Sequence, residues 1–360
     1  MSAGRVRLPL VALGMLALLA GLWAGLIRIG WAVPPLQAAL ASAHGPLMVS
    51  GFLGTVIGLE RAVAVRHPIA YAVPLMSGLG GLGLVLGVPA PAAPLLMTMA
   101  SAGLVAIFAS AFRSRPALFT GVMGAGAIAW LVGNALWLSG VPIYGAVSWL
   151  GGFLVLTIVG ERLELSRLAR PGRLSRDIFL FAVTVYLAGL LLTLRAPQIG
   201  PRLEGPGMLG LALWLLRFDI ARHTVRQTGL PGFIAVSLLS GYVWLGISGS
   251  LWILFGGSVA GPLYDATLHA LFLGFVFAMI FAHAPIILPA VLGGPVSYRA
   301  NFYGPLALLN LSLIVRLSGD LGGSGEARRW GGLLGVVAIL AFVANTVRTV
   351  LETRQAHRGH

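Results

Sequence analysis

Long apolar stretches follow one another along almost the whole chain, and the segments between them are short and carry proline, glycine or arginine. A helix needs roughly 20 apolar residues to cross a bilayer. Stretches of about that length cover residues 8–29, 37–59, 69–88, 92–112, 117–139, 143–162, 177–195, 206–225, 231–256, 264–290, 302–318 and 330–350. The pattern predicts an all-α polytopic membrane protein with twelve transmembrane helices in a single integral membrane domain, residues 1–360.

The composition narrows the function classes. Hydrophobic residues make up 58% of the chain and charged residues only 9%, whereas a soluble domain is usually about 25% charged. The net charge is +14, but the arginines are spread between apolar segments, which indicates membrane topology and lipid contact and not nucleic-acid binding. The absence of cysteine from the sequence excludes disulfides, thiolate metal sites and covalently attached c-type haem.

The arginines also predict an orientation. With a cytoplasmic N-terminus, roughly 17 of the 24 basic residues fall in inner segments and about 6 in outer ones, as the positive-inside rule requires. This split predicts a multi-pass protein of the inner (plasma) membrane, with both termini in the cytoplasm.

A Gly-Phe pair recurs in the second, sixth and tenth predicted spans, and a polar residue follows each glycine nine positions later. The pairs are Gly51-Phe52, Gly152-Phe153 and Gly274-Phe275, and the polar residues are Glu60, Glu161 and His283. Recurrence every four spans predicts three four-helix units, at about residues 1–112, 113–225 and 226–360, in a pseudo-threefold bundle.

Two histidines occupy matched positions before these pairs. His44 precedes its glycine by about seven residues and His269 by about five, so at 1.5 Å per residue their depths differ by ~3 Å. Two imidazoles at one depth on equivalent helices predict a bis-histidine haem b between the second and tenth spans. A copper or zinc ion would lack ligands, and the remaining alternative is that each imidazole satisfies a neighbouring polar group. Asp265, one turn before His269, either orients that imidazole or caps the helix, and the cap is favoured.

His283 lies about 21 Å further along the tenth span than His269, which is too far to ligate the same iron. It either carries a second haem or a copper ion, or it belongs to a polar layer near the cytoplasmic face. Such a layer is either a proton or ion site or a structural set of Glu–Arg ion pairs, and the structural set is favoured. Its other members are Glu60, Arg61, Glu161 and Arg162, and the further candidates are Arg217, Asp219 and His223 of the eighth span.

The tenth span resembles the NnrS family, which belongs to the wider haem–copper oxidase subunit I-like superfamily. The resemblance consists of the His-Ala-Leu start at His269, then Gly274 and Met279 at intervals of five. The region from His44 to Phe52 is similar to the haem-ligand region of that superfamily. The resemblance implies the same fold, a haem held by His44 and His269, and an outer-loop arginine pair that contacts the haem propionates. The matching pair is Arg328-Arg329.

The chain departs from the oxidases where those enzymes hold copper. The sixth span, 143–162, and the seventh, 177–195, contain no histidine, so reduction of oxygen or nitric oxide at a two-metal centre is not expected. The expected function is nitric oxide handling, nitric oxide sensing or electron transfer, with nitric oxide or a redox protein as partner. The alternatives are a cofactor-free membrane transporter, whose hallmark would be a midplane polar cluster or broken helices, and an assembly subunit.

Overall fold

The computed structural model of the protein describes residues 3–166, 172–292 and 298–358, and every regular element within these ranges is a helix. The helices are α1 (Ala3–Arg28), α2 (Leu40–Val65), α3 (Pro68–Leu86), α4 (Ala92–Ser114), α5 (Leu118–Leu138), α6 (Ile143–Ser166), α7 (Arg173–Thr193), α8 (Gly200–Phe218), α9 (Gly229–Phe255), α10 (261–292), α11 (Ala300–Gly322) and α12 (Gly325–Arg358). A single helical turn, Ala221–Thr224, lies between α8 and α9. Arg167 and Arg170, which count among the arginines predicted on the inner side, lie outside the described residues.

Eleven helices in the described ranges are long and apolar enough to cross a membrane, which confirms a polytopic helical membrane protein. The exception is α8, which matches the predicted span 206–225 but begins earlier and ends earlier. It begins at Gly200 because Pro201 is compatible with a first helical turn. It ends because Asp219 has an extended backbone and accepts a hydrogen bond from the Ala221 amide at 2.7 Å. The twelfth span therefore stays a prediction.

The described chain divides into two compact units. The first comprises Met1–Gly160 with the short piece 291–293, and the second comprises Glu161–Ala290 with Gly294–His360. The predicted division into three four-helix repeats stays a prediction.

Small residues bring α1 close to α2 in the first unit. A methyl group added at Gly51 would lie 3.0 Å from the Ala17 side chain, and one added at Gly25 would lie 3.0 Å from Cε1 of His44. Close approach through small residues is the usual way in which membrane helices pack. As a result, the imidazole of His44 lies directly against the backbone of α1.

Helices α11 and α12 form a tight hairpin in the second unit. Gly323 closes α11 with a φ of +74°, in the left-handed region that glycine adopts without strain. A side chain at Gly319 would collide with the backbone of Arg328, and one at Gly331 would collide with the backbone of Arg316. The two arginines are thus fixed at the same end of the hairpin.

Both predicted ligand helices contain a π-helical segment. In α2 it covers Leu47–Gly54, and in α10 it covers Ala270–Val276, so each begins within three residues of the histidine and contains the Gly-Phe pair. The third copy of the motif, in α6, is α-helical throughout. π-helical turns inside α-helices are rare and are frequent at functional sites. The structure therefore distinguishes the two histidine-bearing copies from the third.

Candidate functional site

His44 has its ring orientation set by α1. Its Nδ1 atom lies 2.7 Å from the carbonyl oxygen of Gly21. A carbonyl only accepts hydrogen bonds, so Nδ1 is the donor and, in the neutral ring, the lone pair is on Nε2. Metal-ligating histidines almost always have their second ring nitrogen bonded in this way, which fixes the tautomer and the plane of the ring.

His269 has the same arrangement with a different acceptor. Its Nδ1 atom lies 2.9 Å from the carbonyl oxygen of Asp265, one turn earlier on α10, and 3.3 Å from the carboxylate oxygen Oδ1 of the same residue. The favoured interpretation of Asp265 as a helix cap is wrong. Helix α10 begins at Gly261 with Ala260 as its N-cap, so Asp265 lies one turn inside the helix, where no amide lacks a partner.

The carboxylate of Asp265 is the centre of a charged cluster. Arg316 of α11 donates to both of its oxygens, from Nε at 2.7 Å and from an NH₂ group at 3.0 Å. Arg328 of α12 has its Nε atom 3.7 Å from Asp265 and 3.3 Å from the buried carboxylate of Asp320. We define the Asp265 cluster as Asp265, His269, Arg316, Asp320 and Arg328. Arg316 was not among the predicted site residues, although an arginine inside an apolar stretch is a signal that it has a buried acidic partner.

The predicted arginine pair divides between two environments. Arg328 and Arg329 were expected in a loop, but α11 ends at Gly322 and α12 begins at Gly325, so both lie near the start of α12. A loop interpretation failed because the hairpin needs only the left-handed glycine to reverse direction. Arg328 joins the Asp265 cluster, whereas Arg329 pairs with Glu326 at 3.0 Å on an exposed surface.

His283 lies on α10, beyond the π-helical segment, and its Nδ1 atom is 2.7 Å from the carbonyl oxygen of Met279. Among the described residues, no group of three or more histidine, aspartate or glutamate side chains is arranged to hold a metal ion. A second haem or copper ion at His283 stays a prediction.

Residues predicted for the polar layer form an ion pair in each of the two units. Glu60 and Arg61 pair with each other in the first unit, and Arg61 also lies over the ring of Phe108 at 6.0 Å. In the second unit Arg162 donates two hydrogen bonds to Asp219, each of 2.8 Å, and both side chains are almost completely buried. Asp219 was a further candidate for the layer, but it was not predicted as the partner of Arg162. Two-point pairing of this kind favours the structural interpretation of the layer.

A buried polar network beside the π-helical segment of α2 was also missed. The hydroxyl of Ser50 donates to Asn134 at 3.0 Å and accepts from the indole of Trp130 at 3.0 Å, while Ser77 donates to the Ser50 carbonyl at 2.5 Å. The network links α2, α3 and α5 through side chains that are all buried. It stabilises the segment that follows His44.

Of the comparisons with known proteins, one identifies a family. No curated protein sequence matches the chain. The resemblance to the NnrS family therefore stays a prediction. A family model described as "Domain of unknown function (DUF8744)" matches residues 7–351, which is nearly the whole chain. The protein belongs to that DUF8744 family.

Proposed function

We propose that the protein binds haem b without a covalent bond, through His44 and His269, and that it transfers electrons within the membrane. The observation that carries the proposal is a shared local structure. Each histidine donates its Nδ1 proton to a main-chain carbonyl, and a π-helical segment begins within three residues after each. The third motif copy, which has no histidine at this position, has neither feature.

The available donor atoms fit haem better than a bare ion. A porphyrin supplies four nitrogen ligands to its iron, so the protein needs to add only one or two. The Nδ1–H tautomer leaves the Nε2 lone pair of His44 and of His269 as the ligand electrons. Zinc or copper held by side chains alone needs three or more ligands, and no such group occurs in the described ranges.

Arg328 of α12, which lies beside Asp265 near the start of α10, fits the carboxylate groups of a haem. A guanidinium has five N–H donors, and Arg328 uses its Nε side toward Asp265 and Asp320. Its remaining donors suit a propionate, and its side chain is 28% exposed, so a ligand can reach it. Arg316 is less suitable because its donors are directed to Asp265 and its side chain is 7% exposed.

Electron transfer is the function that two imidazole ligands favour. A bound haem would supply one-electron redox chemistry, and His44 and His269 would be the two residues that hold its iron. Nitric oxide handling or sensing would require one histidine to leave, whereas electron transfer requires no change of ligand. That His44 and His269 ligate one iron is itself a prediction, because the two residues belong to different units.

The test is optical spectroscopy of the full chain in mild detergent, oxidised and reduced with dithionite. We compare wild type with His44→Ala and His269→Ala, and with His67→Ala as the control, because His67 is an exposed residue of a turn. We expect a low-spin haem spectrum in wild type and in the control. Each of the other two variants should lose the haem or change it to a high-spin form.

Three results separate the functions. A low-spin spectrum that changes when nitric oxide is added to the reduced protein would add nitric oxide binding to electron transfer. A haem that is unaffected by either substitution would contradict the assigned ligands. A colourless protein, even after haem is supplied during expression, would contradict the proposal and favour a transporter or an assembly subunit.

A further inference from the structure

A carboxylate lies beside Nδ1 of His269, whereas Nδ1 of His44 donates to a neutral carbonyl. His44 donates to the neutral carbonyl of Gly21 at 2.7 Å. His269 donates to the carbonyl of Asp265 at 2.9 Å, and the carboxylate of the same residue lies 3.3 Å from the same nitrogen. A negative charge is therefore in contact with one imidazole, inside a segment that is apolar enough to span the membrane.

The carboxylate is held in this position by α11. Arg316 bonds both of its oxygens, at 2.7 Å and 3.0 Å, and such two-point pairs are geometrically specific as well as strong. Gly331 of α12 makes room for the backbone of Arg316. Rotation of the carboxylate away from His269 would break two charge-assisted hydrogen bonds in a poorly solvated environment. The contact between carboxylate and imidazole is therefore a fixed part of the fold.

The charged groups around Asp265 come from three helices. Helix α10 supplies Asp265 and His269, α11 supplies Arg316 and Asp320, and α12 supplies Arg328. Both arginines lie within 4 Å of the Asp265 carboxylate. Electrostatic interactions weaken with distance, so the carboxylate in contact with the ring has a stronger effect on the imidazole than a charge outside the cluster.

We infer that Asp265 is a positioning residue for His269, and that its negative charge lowers the reduction potential of an iron bound to that imidazole. The inference rests on the proposed function. A carboxylate beside Nδ1–H makes Nε2 a stronger electron donor. A stronger donor favours the oxidised and more positive iron. The Gly21 carbonyl that accepts from Nδ1 of His44 is neutral and does not supply this charge.

The experiment is a redox titration of the haem-loaded full chain at constant pH, followed by its absorption spectrum. Asp265→Asn removes the charge and keeps the size of the side chain. We expect the equilibrium constant for reduction to rise about tenfold, which corresponds to a midpoint about 59 mV higher for a one-electron couple. Glu326→Gln is the matched control, because it removes one negative charge from an exposed pair on α12 and should leave the midpoint unchanged.

The outcomes distinguish this inference from the proposed function. Haem-loaded Asp265→Asn with an unchanged midpoint would overturn the inference and leave the haem proposal in place. Absence of haem from wild type would overturn both. If Asp265→Asn alone fails to retain haem, Asp265→Glu decides. Recovery of haem and of a midpoint near the wild-type value supports the role of the carboxylate, and failure to recover them rejects it.

Discussion

At the scale of single residues, the three histidines within spans differ in which helix supplies the carbonyl that accepts their Nδ1 proton. His269 and His283 each donate to the carbonyl four residues earlier on α10. His44 donates to Gly21, which belongs to a different helix. Its orientation therefore depends on the packing of α1 against α2, and helix spacing alone could not predict its acceptor. The Gly-Pro pair at 261–262 stands at the start of α10, and it is the signal that could have placed Asp265 inside the helix.

The dependence of His44 on α1 predicts the effect of a single methyl group. In Gly25→Ala the new Cβ would lie 3.0 Å from Cε1 of His44, so the ring must shift. We expect about tenfold weaker haem binding, equivalent to about 1.4 kcal/mol, measured by titration of cofactor-free protein. Gly14→Ala is the control on the same helix, because its Cβ would meet Thr55 at an ordinary 3.4 Å. Equal binding by both variants would contradict the role of Gly25.

At the scale of the elements, the hydrophobic pattern locates helices well and their internal geometry poorly. The predicted spans agree with α2 and α10 as elements, but the π-helical segments in them were not expected. The Gly-Phe pair does not cause π-helical geometry, since α6 has the pair and stays α-helical. In α2 the segment has an external partner for one carbonyl, because Ser77 donates to Ser50. Hydrogen-bond partners of this kind belong to other helices. The hydrophobic pattern of one segment therefore cannot predict them.

The ion pair between Arg162 and Asp219 connects α6 to the break after α8, and its removal has a large expected effect. Asp219→Ala would leave Arg162 buried without its carboxylate, which typically costs about 3–5 kcal/mol. We expect a clearly lower melting temperature in detergent, measured by light scattering and fluorescence. Arg348→Ala is the control, because it removes an exposed pair with Glu352 and should change the melting temperature little. A near-native melting temperature for Asp219→Ala would show that the pair is not structural.

At the scale of the whole molecule, composition and the hydrophobic pattern predicted the class of protein. They did not predict which charged residues, distant from each other in sequence, form ion pairs. The apolar stretches predicted a helical membrane protein, and eleven spans support it in the described ranges. Asp265 and Arg316 are 51 positions apart, and Arg162 and Asp219 are 57 apart. The pairing of buried charges depends on how the helices of one unit pack. The spacing of the residues along the chain does not reveal that packing. A buried arginine in an apolar stretch predicts that a partner exists but does not identify it.

The position of α8 decides the topology, because both termini can be cytoplasmic only if the number of spans is even. Its content of charged residues excludes α8 from the eleven apolar helices, yet α7 and α9 on either side of it are both candidate spans. The chain has no native cysteine, so single cysteines report one side each. Gln198→Cys precedes α8 and Gln227→Cys follows it, and both positions are exposed.

We expect a membrane-impermeant maleimide to label Gln198→Cys in intact cells and to label Gln227→Cys only after the membrane is opened. Ser139→Cys, directly after α5, and Ser114→Cys, at the end of α4 before α5, are exposed and provide the matched outer and inner controls. Labelling of both α8 variants from the outside would mean that α8 does not cross. The spans would then be odd in number, and the arginine split that predicts two cytoplasmic termini would not describe the second half of the chain.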